Sequence, residues 1–150
     1  MNIWKYAVLP LSIVLFAGCA QKKVAAVYPP LIVADATPLI SKSKRSIGVT
    51  VNFENIAHDN YQYARFKLTA FDDAGNSIRP KKGNGDSAYV RLAGPIAPGQ
   101  TRSTTWTNTW ANKNVQCISL DEVELIFPDG SIEIAKNDRL LSKQEGNSCI

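Results

Sequence analysis

The sequence predicts an all-β fold of two packed antiparallel sheets. Three observations point there. Apolar and polar residues alternate in short segments, clusters of Gly, Pro, Asn and Asp separate those segments at sandwich-like spacing, and no stretch of useful length repeats with a helical period. Composition agrees: 45% hydrophobic and 20% charged residues suit a globular chain rather than a disordered one.

The segments follow one another from residue 47. Ile47, Val49, Val51 and Phe53 alternate with Gly48, Thr50, Asn52 and Glu54, the pattern of a strand with one buried face. Asn55 to Asn60 reads as a loop. Ala64, Phe66, Leu68 and Ala70 alternate with Arg65, Lys67, Thr69 and Phe71. Asp72 to Asn76 is a turn, with Gly75 or Asn76 able to take positive φ. Ser77-Ile78 opens a return strand, and Lys81 to Asp86 is a polar glycine loop. Ala88, Val90 and Leu92 alternate again before the wide turn Gly94 to Gly99. Thr101 to Trp110 is rich in Thr and Trp, which suits a strand. Val115 to Leu120 and Val123 to Phe127 read as two further strands, and Pro128-Asp129-Gly130 turns the chain into Ile132 and Ile134. Asn137 to Ser142 has room for one helical turn. The expectation is about seven strands in a domain spanning 47–150.

Residues 1–18 read as a signal peptide. Met1 to Lys5 is short and positive, and Tyr6 to Phe16 is an apolar run too short for a stable transmembrane helix. Leu15-Phe16-Ala17-Gly18-Cys19 resembles the lipobox of bacterial lipoproteins, with Phe16 where Leu is common. That resemblance implies lipid attachment at Cys19, palmitate included. Ala20 carries no inner-membrane retention signal, so it also implies the outer membrane of a Gram-negative bacterium. Several acyl chains on one residue make a lasting anchor. Residues 19–46 then read as a lipidated linker, because Pro29, Pro30 and Pro38 resist regular structure and Ser41 to Arg45 is a basic polar run. Within it, Leu31 to Ala34 could dock as a short edge strand. With Cys19 lipidated, Cys117 and Cys149 remain as an even pair. One disulfide in an oxidising compartment is expected, with two free thiols as the alternative.

Tyr61 to Ile78, with Phe66, Leu68, Phe71-Asp72 and Gly75 in place, followed by Ile96-Ala97-Pro98-Gly99-Gln100-Thr101, resembles the FxLYD-type immunoglobulin-like domains of bacterial exported proteins. A strand ending in an aromatic and Asp enters a Gly turn, and a Pro-Gly turn precedes the next strand. Val51 to Asn55 fits the strand before it. The likeness covers roughly half the chain and is carried by turn and core residues. It implies an immunoglobulin-like sandwich used as an interaction or scaffold module, with no catalytic residues to transfer. The Lys81 to Asp86 insertion and the cysteine pair depart from it.

Chemistry-bearing residues are sparse. His58 is the only histidine and lies in a polar loop without a hydrolase or zinc motif around it. Asp72, Asp73 and Asn76 have oxygen ligands for Ca²⁺, but turn chemistry accounts for them. Glu122 and Glu124 fall on the solvent side of a strand. No catalytic residue, cofactor or metal is expected. Formal net charge is +4, about +3 without Lys5, too mild to imply nucleic acid. Trp106 and Trp110 lie four apart on one predicted strand, hence on one face. They either fill the core or stack on a ligand, with Tyr61, Tyr63 and Tyr89 extending an aromatic patch. Lys81 and Lys82 belong to the basic glycine loop and could meet an anion or glycan. The functional expectation is a non-enzymatic envelope lipoprotein that binds another envelope protein. The alternative is a glycan- or peptidoglycan-binding module using Trp106, Trp110 and the Lys81-Lys82 loop.

Overall fold

The computed structural model describes residues 29–40, 46–111, 114–142 and 149. Cys19 and the segment expected to be a signal peptide lie outside them. The described elements are β1 Ile32–Ile40, β2 Ile47–Asn55, β3 Tyr61–Phe71, β4 Ser77–Ile78, β5 Ser87–Ile96, β6 Thr101–Trp110, β7 Cys117–Ile126, β8 Ile132–Ala135, a 3-10 turn Asn137–Arg139, and β9 Leu140–Leu141. They form a β-sandwich. One sheet runs β6-β2-β1-β9; in the other, β3 pairs with β7 on one side and with β4 and β5 on the opposite side, and β8 lies beyond β7. Every pairing is antiparallel except that of β1 with β9.

Alternation decides which side chains meet between the sheets. Val49, Val51 and Phe53 of β2 face Phe66 and Leu68 of β3 and Val123 and Leu125 of β7, all of them buried. Phe53 and Phe66 lie 5.5 Å apart with tilted rings, and Tyr61 meets Phe127 edge-on at 5.3 Å. Each such contact adds about 0.5–1.5 kcal/mol to the burial itself.

Two expectations about element boundaries change. Part of the span expected to be linker, 19–46, is structured: Ile32–Ile40 is a full strand of the sheet with Ile32, Ala34 and Ala36 buried. Pro38 does not prevent this. Ile56 N–H donates to the Leu31 carbonyl, and that register turns the Pro38 nitrogen away from β2, where β9 no longer follows. The two strands expected at 115–120 and 123–127 are one strand, β7, with a bulge between the Lys67–Glu122 and Leu68–Leu120 pairs. Asp121 is the extra residue, so the inward phase passes from Leu120 to Val123 without a break in pairing. With β1, β4 and β9 counted, the described residues form nine strands where about seven were expected.

Asn55 is buried at the end of β2 and fully used. Its Nδ2 donates to the carbonyls of Asp59 (2.9 Å) and Ile96 (3.0 Å), and its Oδ1 accepts from Ala57 N–H (3.0 Å). One amide thereby fixes the 56–60 loop and the end of β5. Asn55→Ala leaves those groups without their partner and is expected to cost about 1–3 kcal/mol, read as a lower urea midpoint with an unchanged slope.

Tyr61 is buried at the start of β3, and its hydroxyl donates to the Leu31 carbonyl at 2.9 Å. Burial, reinforced by Glu133 and Asp59, raises its pKa well above the ordinary value near 10. Below pH 10 both the folded and unfolded chains keep this proton. Above it the unfolded chain releases a proton that the native state retains, so stability falls as pH rises. Unfolding midpoints measured from pH 8 to 11.5 are expected to decline more steeply in wild type than in Tyr61→Phe.

Candidate functional site

β6 holds Trp106 and Trp110 on its inward side, opposite Val49 and Ile47 of β2. The stretch of β6 between these pairs is longer than that of β2, and Asn108 takes up the excess with φ 66°. Gly48 stands opposite this bulge. A Cβ there would lie 2.4 Å from the Trp106 carbonyl oxygen, so the two backbones approach this closely only because residue 48 is glycine.

The two tryptophans then part. Trp110 is 0% exposed and belongs to the core, so it presents no surface to a ligand. Of the two readings left open for the pair, Trp110 takes the core one, and the alternative platform loses that member: a shared face is an inward face here. Trp106 is half-buried against Phe66, with ring centroids 6.1 Å apart, and lines a groove of about 320 Å³ between β5 and β6. Pro80, Lys81, Lys82, Tyr89 and Val90 line it too. Lys81 is part of the scaffold. Its N–H donates to the Thr109 carbonyl (2.9 Å) and its ammonium donates to Asn108 Oδ1 (2.6 Å), which fastens the loop to the bulge. Lys82 is exposed at the rim. The structure thus brings Trp106, Lys81 and Lys82 together and leaves Trp110 out.

A second surface lies on the outer face of the β3-β5-β7-β8 sheet. The Arg91 guanidinium sits 4.2 Å from the Tyr63 ring centroid, and that of Arg65 lies 5.2 Å from Tyr89. Arg65 also pairs with Glu124, which pushes the guanidinium pKa further up. Tyr89 is 54% exposed, Ile132 59% and Ile134 44%. Cross-strand register aligns Arg91, Arg65, Glu124 and Ile134 in one row, and Tyr63, Ile126 and Ile132 in the next. Of the three tyrosines expected to widen an aromatic patch, Tyr61 is core and Tyr63 and Tyr89 are on this face. The arginines were the missing members. Their signal was parity, since Arg65 lies two residues from Tyr63 in β3 and Arg91 two from Tyr89 in β5.

The remaining candidates are placed by local structure. His58 is exposed in the 56–60 loop. Asp72 Oδ1 accepts from the N–H groups of Ala74 (3.0 Å) and Asn76 (2.8 Å), and the Asn76 bonds hold the Asp72 pKa below the usual carboxylate range. That is the expected turn. Asp129 does the same for Ser131, which also lowers its pKa. Glu122 and Glu124 stand on the outer face of β7. The Cα atoms of Cys117 and Cys149 are 5.7 Å apart, the separation a disulfide spans.

No family model and no curated relative matches the chain. Among solved structures, IrmA from Escherichia coli superposes with a TM-score of 0.55 over 80% of this chain and 97% of its own, at 10% identity. What the two share at that identity is the sandwich fold.

Proposed function

We propose that this protein is a non-enzymatic, lipid-anchored envelope protein whose sandwich binds another protein. The outer face of the β3-β5-β7-β8 sheet carries the reading. Paired Tyr and Arg side chains beside exposed isoleucines are the composition of interface hot spots: Tyr brings large, rigid area at low conformational cost, and stacking on the rings already restricts the two guanidiniums. The lipobox resemblance at Cys19 and the FxLYD-type likeness support the address and the module type. Crosslinking in intact envelopes, followed by pull-down, tests it. A specific crosslinked band is expected, weakened in Arg91→Glu and Ile134→Glu. Recovery of nothing above control would count against the reading.

A glycan-binding reading keeps one favourable observation, the open groove where Trp106, Tyr89 and Lys82 meet. Acrylamide quenching is expected to reach Trp106 and spare Trp110. Quenching relieved by added cell-wall fragments, with co-sedimentation, would favour this second reading.

A further inference from the structure

The sandwich has four sheet edges among the described residues, and three of them are short or blocked. β8 has four residues; β9 has two, and the edge of β1 that it leaves uncovered past Val33 is interrupted by Pro38, whose nitrogen faces outward. β5 is long, but its C-terminal end is covered: Arg102 reaches across from β6 and its guanidinium donates to the carbonyls of Pro95 (2.7 Å) and Ala93 (3.4 Å), while Arg91 adds a charge further back along the strand. Capping by a cation, together with Pro95 itself, is how natural sheets close an edge. β6 differs. Lys81 and Pro80 cover its far end, at Thr109 and Trp110. Between Thr101 and Thr107 it has no proline, and its one charged side chain, Arg102, is turned toward β5.

The register shows which groups this edge offers. Asn55 N–H donates to the Gln100 carbonyl, next to the Glu54–Thr101 pair. In an antiparallel ladder the hydrogen-bonding pairs then fall at every second residue, so Thr101, Ser103 and Thr105 turn their amide groups away from β2. The side chains of an added strand would alternate between the threonine-rich outer face and the gap between the sheets. That gap ends in the groove walled by Trp106, Val90 and Tyr89, with Lys81 and Lys82 at its mouth. Main-chain bonds on an open edge and a pocket for an alternate side chain are the two parts of strand-addition recognition.

We propose that β6 receives an extended peptide segment of a partner protein, which pairs with Thr101 to Thr107, drops one apolar side chain against Trp106, and presents acidic groups to Lys82. This rests on the protein-interaction reading and gives it a contact separate from the Tyr–Arg face. The experiment uses the full chain in detergent and a labelled ten-residue peptide of alternating threonine and valine, with two aspartates at one end or the other. One of the two orientations is expected to bind, to protect the outward amides of Thr101, Ser103 and Thr105 from hydrogen exchange, and to shift Trp106 fluorescence. N-methylation of alternate peptide amides is expected to weaken binding roughly tenfold or more, without touching the protein. Lys82→Glu is expected to weaken binding several-fold and to be rescued when lysines replace the aspartates. Equal binding of methylated and unmethylated peptides, no binding at millimolar concentration, displacement by cell-wall fragments, or protection of the same amides by self-association would each overturn the proposal. If the envelope crosslink survives Lys82→Glu and Trp106→Ala unchanged, the interaction reading stands and this contact falls.

Discussion

Trp110→Ala is expected to lower the unfolding free energy by about 3–5 kcal/mol, a large share of what a domain of this size possesses. Trp110 is the largest fully buried side chain, and it sits where β6, β2 and the Pro80 segment converge. Truncation empties a volume that β2 cannot fill, because Ile47 already faces Trp110 across the ladder. Urea unfolding monitored by circular dichroism checks the size of the effect. Trp106→Ala is the informative partner. Trp106 is only partly buried and borders the groove, so its loss should cost clearly less stability. Similar costs for the two variants would mean that the groove is closed in solution.

Breaking the link between Cys117 and Cys149 is the second large effect. The pair is 32 residues apart in sequence. Closing a loop of that length stabilises by roughly 3–4 kcal/mol on the chain-entropy argument. Within the loop lie most of β7, all of β8, the 3-10 turn and β9, and the short β9 strand depends on being held against β1. Cys117→Ser/Cys149→Ser is therefore expected to unfold at lower urea and to lose hydrogen-exchange protection first at Leu140 and Leu141. Wild type with reductant should follow the double variant. Titration of two free thiols in native, oxidised protein would rule the bridge out.

Much of the fold was legible because a half-buried strand has a period of two. β2, β3 and β5 follow alternations whose apolar members are buried; β8 alternates too, but its Ile132 and Ile134 face outward and Ala135 faces the core. β1 was obscured because its inward residues past Ile32 are the small Ala34 and Ala36, and the strand then continues into the exposed Pro38, Leu39 and Ile40, which gives little contrast. Asp35 added to this: it is on the outer side yet buried, hydrogen-bonded by Ser142 from far along the chain. β7 looked like two strands because a bulge resets the phase at Asp121. The site was half legible. Spacing placed Trp106 and Trp110 on one face correctly, but whether that face is core depends on which strand lies beneath, and pairing partners are long-range information. The groove needed Lys81, Tyr89 and Trp106 from three separate segments. Only the sheet register brings them together.

The position of β1 also has a mechanical consequence. Its nine residues pair with β2 along their whole length, and β6 on the far side of β2 runs parallel to β1. A pull applied at Leu31 and resisted by a partner on β6 would load the β1–β2 ladder lengthwise. The rungs of that ladder would then share the force rather than open one at a time, so the domain should yield at high force along this axis and at low force when peeled from its C-terminal end. Single-molecule pulling along the two directions would separate them, since forced unfolding reads the barrier rather than the equilibrium.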